Sequence, residues 1–325
     1  MYESFFNLNE KPFTLNPDPD FLYLGKNHAR ALSILEYGIM SEAGIVVITG
    51  EIGSGKTTLI RHLLNQLDDR YTIGLITNTH KSFGELINWV SMAFGLPHEG
   101  KDKVSLYNQF LEFMINEYAE GKRVVIIVDE AQNMERDTLE ELRVISNINA
   151  DKDLVMQLIL SGQPEFRDML QHPGLEQFVQ RVAAYYHLAP LDEESVGAYV
   201  RHRFAKAGGD EQVFDDSSVH MIHRYSGGVP RMINTLANLA LTYAFAEQSK
   251  QVNAQVMIDV IKDRDTHGMF GGALTPDRNK QVVDDREVRA DAGGAPDLRA
   301  VPDPDPPRAN SVERIVELTS NPSKK

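Results

Sequence analysis

Four side chains stand out for what they could do chemically: Lys56, Thr57, Asp129 and Glu130. The first two close the run Gly50-Glu51-Ile52-Gly53-Ser54-Gly55-Lys56-Thr57, which fits G-x-x-x-x-G-K-[ST] at every fixed position. This order suits a polyphosphate. Glycines let backbone N–H groups approach phosphate oxygens without Cβ clashes, and a helix starting there points the positive end of its dipole at the same anion. Lys56 is expected to reach the β- and γ-phosphates of ATP, Thr57 to ligate Mg²⁺, and Thr58 to add an α-phosphate contact. Asp129 and Glu130 end the run VVIIVDE, roughly 70 residues downstream. Behind a phosphate loop, Asp129 is expected to hold Mg²⁺ through water and Glu130 to polarise the attacking water.

Chemistry at these positions requires elements that bring them together. Ile45 to Thr49 is a short β-branched apolar run, the pattern of a strand buried on both faces. Leu59, Ile60, Leu63, Leu64 and Leu67 follow it at helical spacing. Further strands are expected at Tyr71–Thr77, Val124–Glu130, Leu154–Leu160 and over AAYYHL, residues 183–188. Helices are expected from His28 to Ser41 with Asn27 as cap, to about Phe94 behind a Ser82/Glu85 capping box, from Val104 to Tyr118, from Glu135 to Ile148, and from Leu175 to Arg181. Strands alternating with helices predict a parallel sheet whose ligands lie beyond the carboxyl ends of its strands. At the tip of the strand beside the acidic one, a polar side chain could orient the lytic water; Gln163 is the first choice there and Ser161 the second.

Helices from Glu193 to Ala207, Ser217 to Tyr225, Pro230 to Glu247 and Ala254 to Lys262 predict an all-helical lid, with Ser226-Gly227-Gly228 ending one helix and Pro230 starting the next. Arg231 heads the long lid helix and is placed to reach a γ-phosphate. Arg181 is a lone cation between Arg167 and Arg201, just before the final strand, where an arginine finger is of interest. The expected division is a phosphate-loop core over residues 1–190, a lid over 191–265, and a tail over 266–325. The opening FFNLNEKPFTLNPDPDFLYL reads as an extended, turn-rich arm on a domain surface. Its aromatics are read as packing residues, and the segment from Tyr23 to His28 is an alternative border for the adenine. The tail is rich in Gly, Pro and charge, a composition that cannot bury a core. Within it, SVERIVELT at 311–319 could form a short docking helix.

The 325 residues include no cysteine, which excludes disulfides, thiolate metal sites and a Cys nucleophile. No apolar run reaches the roughly 20 residues of a bilayer span, and the N-terminus lacks the pattern of a signal peptide. A cytoplasmic location is therefore expected. Net charge is −14, of which the 37 acidic and 24 basic residues ahead of the tail contribute −13. Nucleic acid held by bulk electrostatics is not expected of such a domain.

The phosphate loop, DEAQ at 129–132, SGQPEF at 161–166, QRV around Arg181, GGVPRMIN at 227–234 and YYHLAPLDEESVGAYVRHR together resemble the ExeA-type (general secretion pathway A) AAA+ ATPases. The pattern is especially similar to the secretion ATPase of exosortase/PEP-CTERM exopolysaccharide loci. The resemblance covers about residues 1–264. It implies a P-loop AAA+ sheet with a helical lid, and ATP hydrolysis coupled to assembly or regulation of an envelope secretion or exopolysaccharide export system, with a site at the inner membrane. It also implies a homo-oligomer, either a ring or an ATP-dependent assembly. Residue by residue it implies Gly50 to Thr58 as the nucleotide loop, Asp129 and Glu130 as the second acidic motif, Gln163 as first sensor, Arg181 as finger and Arg231 as second sensor. ExeA itself continues into a membrane helix and a peptidoglycan-binding domain; neither is found here, so peptidoglycan binding is not expected. A related group implies the alternative of a DNA-dependent regulator of transposition, which the acidic balance disfavours. A kinase sharing the loop is disfavoured by the helical lid and by the lack of an evident acceptor site.

Overall fold

Apolar β-branched runs become the central strands, and the amphipathic segments between them cover both faces. The computed structural model describes residues 1–41, 44–77, 79, 84–147, 149–150 and 153–267. Five strands, β1 (Ile45–Gly50), β2 (Tyr71–Ile76), β3 (Arg123–Val128), β6 (Met156–Gly162) and β7 (Val182–Leu188), make one sheet in the order β2-β3-β6-β1-β7. Every pairing in it is parallel, and the residues of β1 and β6 are buried throughout. Two short strands, β4 (Asn149–Ala150) and β5 (Asp153–Leu154), form a separate antiparallel hairpin.

One face of the sheet carries α1 (Lys26–Met40) and α2 (Lys56–Leu64), whose Ala31, Leu35, Leu59, Ile60 and Leu63 pack on Val46, Ile48, Val125, Ile127 and Ile159. The other face carries α3 (Leu86–Ala93), α4 (Lys103–Ala119), α5 (Arg136–Ile145), α6 (Pro164–Leu170) and α7 (Glu176–Val179), centred on Phe110, Phe166, Phe178 and Trp89. Several boundaries shift: α5 ends at Ile145 rather than Ile148, β6 starts at Met156 with Leu154 in the separate hairpin, and α7 is shorter than the expected Leu175–Arg181. Helix α1 starts at Lys26 with Gly25 as its cap, so Asn27 lies inside the first turn. Helix α3 starts at Leu86 with Glu85 at its N-cap, and the Ser82 half of the expected capping box lies outside the described residues, as does the segment 311–319.

The remaining helices, α8 (Glu193–Lys206), α9 (Asp216–Ser226), α10 (Pro230–Ala246) and α11 (Ala254–His267), surround a third core containing Val200, Phe204, Ile222, Leu236 and Leu241. Gly227, left-handed at φ 60°, caps α9, and Pro230 opens α10, so the Gly-Gly-x-Pro signal places this turn where the sequence expects it. The arm does more than lie on a surface. Its Tyr2, Phe6, Leu8, Phe13 and Phe21 are buried within the core of α8–α11. The Tyr2 hydroxyl donates to Asn238 Oδ1 at 2.6 Å, Asn9 N–H to the Ala207 carbonyl at 2.8 Å, and Arg203 Nε to the Pro12 carbonyl at 2.7 Å.

A buried aromatic side chain contributes on the order of 2–3 kcal/mol. Loss of several of them compares with the whole net stability of a domain, about 5–15 kcal/mol. Deletion of residues 1–15 is therefore expected to melt α8–α11 ahead of the sheet. The check is a calorimetric scan, in which the single transition of the full chain should split or its first midpoint fall by about 10 °C or more.

Candidate functional site

Strand β1 ends at Gly50, and the chain turns through Gly53 (φ 78°) and Gly55 (φ 102°) into α2. A side chain at either glycine would be strained by backbone alone. At Gly53 a Cβ would also stand 2.4 Å from the Cβ of Arg231. The loop is thus shaped by what covers it as well as by what it could cradle: Arg231, exposed at the head of α10, donates its backbone N–H to the Gly53 carbonyl at 3.1 Å. Beneath the loop, buried His28 of α1 donates from Nε2 to the Ser54 carbonyl at 3.0 Å. Burial pulls that imidazole below its ordinary pKa, against the pull of the hydrogen bond, and favours its neutral form.

Lys56 is 6% exposed and donates from Nζ to the carbonyls of Gly50 (2.7 Å) and Glu51 (3.0 Å). Burial lowers its pKa, and the nearby carboxylates of Glu130, Asp129 and Glu51 oppose that shift. Thr57 Oγ1 donates to Asp129 Oδ2 at 2.6 Å, while Asp129 Oδ1 accepts the Glu130 N–H at 3.1 Å. A hydroxyl and a carboxylate held together are the hard oxygen donors that suit Mg²⁺ with phosphate and water completing its shell. Among the described residues, no cluster of three or more acidic, His or Cys side chains offers a metal cage, and a phosphate-borne Mg²⁺ needs none.

Glu130 takes the left-handed conformation, φ 57° and ψ 40°, an unfavourable backbone for a residue with a Cβ. The turn re-aims it away from Asp129. Its Oε2 accepts from Gln163 Nε2 at 3.0 Å and from Gln132 Nε2 at 2.5 Å. Burial works against the charge of Glu130, but these two hydrogen bonds, with Lys56 and Arg231, outweigh it and hold the carboxyl below the ordinary glutamate range. Since β6 lies between β1 and β3, its end delivers Gln163 beside the acidic pair. The alternative, Ser161, is fully buried, with no partner for its hydroxyl among the described residues.

Gly50, Glu51, Ile52, Gly53, Ser54, Gly55, Lys56, Thr57 and Thr58 therefore form one continuous loop and helix start, with Asp129, Glu130, Gln163 and Arg231 close around it. Arg181 is elsewhere. Val182 pairs with Ile45 and Leu188 with Gly50, so Arg181 sits at the opposite end of the sheet, about 20 Å from its own loop at the usual rise per strand residue. It is exposed; its backbone N–H donates to the Phe178 carbonyl at 3.0 Å, and among the described residues its guanidinium has no hydrogen-bond or ion-pair partner. A cleft over the loop is lined by Thr14 to Asp18, Phe21 to Tyr23, Tyr199, Arg203, Arg231 and Asn234. Asn234 Nδ2 donates to the Thr14 carbonyl at 3.0 Å and its Oδ1 accepts from Tyr199 at 2.8 Å, fixing the arm there. Three contributions have no signal in single residues. Gln132 drew notice only within DEAQ, His28 carries no local signal, and the arm's lining segment starts at Thr14, ahead of the expected Tyr23.

Residues 39–170 match the family model described as AAA domain. The chain is 40% identical over 253 residues to General secretion pathway protein A of Aeromonas hydrophila, an alignment covering 78% of this chain and 46% of that protein. The chain thus spans about half the length of that relative. Among solved structures, the ORC2 protein of Aeropyrum pernix superposes with a TM-score of 0.60 at 16% identity, over 78% of this chain and 72% of that one. The Cdc6p of Pyrobaculum aerophilum gives 0.57 at 17%, over 76% and 70%. These likenesses are of fold: a P-loop, AAA-like parallel sheet flanked by helices.

Proposed function

We propose that this chain is a Mg²⁺-dependent ATP-binding and hydrolysing AAA+ protein of the ExeA type, which powers or regulates assembly of a bacterial envelope secretion or exopolysaccharide export system. The observation that carries the ATPase reading is the convergence of Lys56, the Thr57–Asp129 pair and the Glu130–Gln163 pair at the carboxyl ends of parallel strands. Likeness to the Aeromonas hydrophila protein over 253 residues supports the secretion assignment. The proposed layout is a core over 1–190, a lid over 191–265 and a tail over 266–325. Among the described residues no helix is long and apolar enough to cross a membrane, and the proposed working place is the cytoplasm, peripheral to the inner membrane.

In this reading the loop amides and Lys56 bind the β- and γ-phosphates. Bound between Thr57, Asp129 and the phosphates, Mg²⁺ would supply charge neutralisation. Glu130 accepts a proton from water as the water oxygen bonds to the γ-phosphorus; the bond from that phosphorus to the β,γ-bridging oxygen breaks, giving ADP and phosphate. Gln163 orients Glu130 and the water, and Arg231 faces the γ-phosphate from the lid. The second Arg, Arg181, serves a neighbouring subunit in a homo-oligomer.

The test of the reading is nucleotide affinity. Lys56→Ala leaves phosphate charge uncompensated, and calorimetric titration with MgATP is expected to show binding weakened about 100-fold or more, the loss of a strong charge-assisted contact. Unchanged affinity would reject the loop as a nucleotide site.

A further inference from the structure

Gln132 belongs to neither the phosphate loop nor the acidic pair, yet its amide is engaged at both ends. Nε2 donates to Glu130 Oε2 at 2.5 Å, and Oε1 accepts the backbone N–H of Gln163 at 3.0 Å. Gln163 returns to the same Glu130 oxygen through its side-chain Nε2, at 3.0 Å. The three residues thus close a ring of hydrogen bonds between the ends of β3 and β6. A short 3-10 turn, Ala131–Asn133, sets Gln132 beside Glu130, and the turn is closed by Asn133 N–H on the Glu130 carbonyl at 3.0 Å.

We propose that Gln132 is a positioning residue for the reaction: it locks the Glu130 carboxylate and the tip of β6 into one arrangement, in which Oε2 is held by two donors and Oε1 is left to take the proton of the attacking water. The proposal rests on the reading of Glu130 as the base. It follows from what the position demands. The group at 132 must donate to an acceptor on one side and accept from a donor on the other, at once. An amide does both; a carboxylate cannot donate, and an aliphatic chain does neither. The amide orientation is dictated by the partners, because the flipped form would set oxygen against the Glu130 carboxylate and N–H against N–H. Without the clamp, the glutamate's rotatable bonds are released, and a misplacement of about 1 Å costs on the order of 100-fold in rate.

The experiment uses the full chain with MgATP, comparing wild type, Glu130→Gln, Gln132→Leu, Gln132→Glu and the double variant Glu130→Gln/Gln132→Leu. Both single changes at 132 should lower kcat about tenfold or more, with KM and the affinity for a fluorescent ATP analogue within about threefold of wild type. In the Glu130→Gln background the change at 132 should cost almost nothing further, because its effect passes through Glu130. Gln132→Glu keeps the acceptor for Gln163 and guards against a Leu variant that fails to fold. The proposal is overturned if both variants keep kcat within about twofold while Glu130→Gln is inactive. It is equally overturned if kcat and affinity fall together, or if the losses add in the double variant. A wild type that binds but never turns over MgATP rejects the ATPase reading itself, and this inference with it.

Discussion

Glu130→Gln is expected to bind MgATP as tightly as wild type and to turn it over slower by about 100-fold or more, the scale of a general-base contribution. The substitution keeps length and shape, and the replacement carbonyl oxygen can still accept from Gln163 and Gln132. What is lost is a negative charge with high affinity for a proton. Glu130 is suited to that role: two amide donors and the charges of Lys56 and Arg231 hold its carboxyl deprotonated despite partial burial. Its left-handed turn also separates it from Asp129, so the two adjacent carboxylates take different partners. Single-turnover rates beside equilibrium binding make the check. A variant within a few-fold of wild-type turnover would show that another group activates the water.

Arg181→Ala is expected to bind ATP nearly normally and hydrolyse it poorly, by roughly 1,000-fold where a finger is worth its usual amount. The transition state of phosphoryl transfer carries charge that loop and metal leave partly uncovered. Within its own subunit Arg181 lies at the wrong end of β7 to supply that charge, since Val182 is registered with Ile45 and the loop begins beyond Gly50. An exposed guanidinium with no partner among the described residues is available to a neighbour. Mixing Arg181→Ala with Lys56→Ala should therefore restore activity at interfaces where one chain provides the loop and the other the arginine. Specific activity of wild type should rise with protein concentration. No rescue, with flat activity over concentrations at which sedimentation finds monomers, would make Arg181 an ordinary surface cation.

The phosphate loop and the acidic strand end were legible because the spacing of their residues is local: a strand, a turn and a helix within about 20 residues fix the geometry by themselves. Gln163 could be placed because the tip of a strand next to β3 has few polar side chains to offer. Ser161 and Gln163 share a face by strand alternation, and what separates them is depth: Ser161 is fully buried inside β6, whereas Gln163 lies past its end and reaches Glu130. The role of the arm was harder to read. Phe6 and Phe13 look like packing residues in the sequence, but nothing near them says that their partners are Phe204 and Phe214, some two hundred residues on. The particular roles of Gln132 and His28 were hidden for the same reason. Their importance arises from contacts with Gln163 and Ser54, which only the folded chain supplies.

The arm also has a consequence for how the chain reaches this state. Tyr2 and its partner Asn238 are 236 residues apart in sequence. Synthesis delivers the apolar start first and the helices that cover it last, so Tyr2, Phe5 and Phe6 spend most of translation without their native cover. Contacts of such high sequence separation form late, because loop closure must precede them. The sheet and phosphate loop, built largely from shorter crossovers, can assemble while the start of the chain is still waiting. The cleft over the loop, which needs Thr14 to Tyr23 in place, is thereby among the last parts of the molecule to be completed. Nucleotide binding in a refolding experiment should accordingly lag behind the recovery of secondary structure.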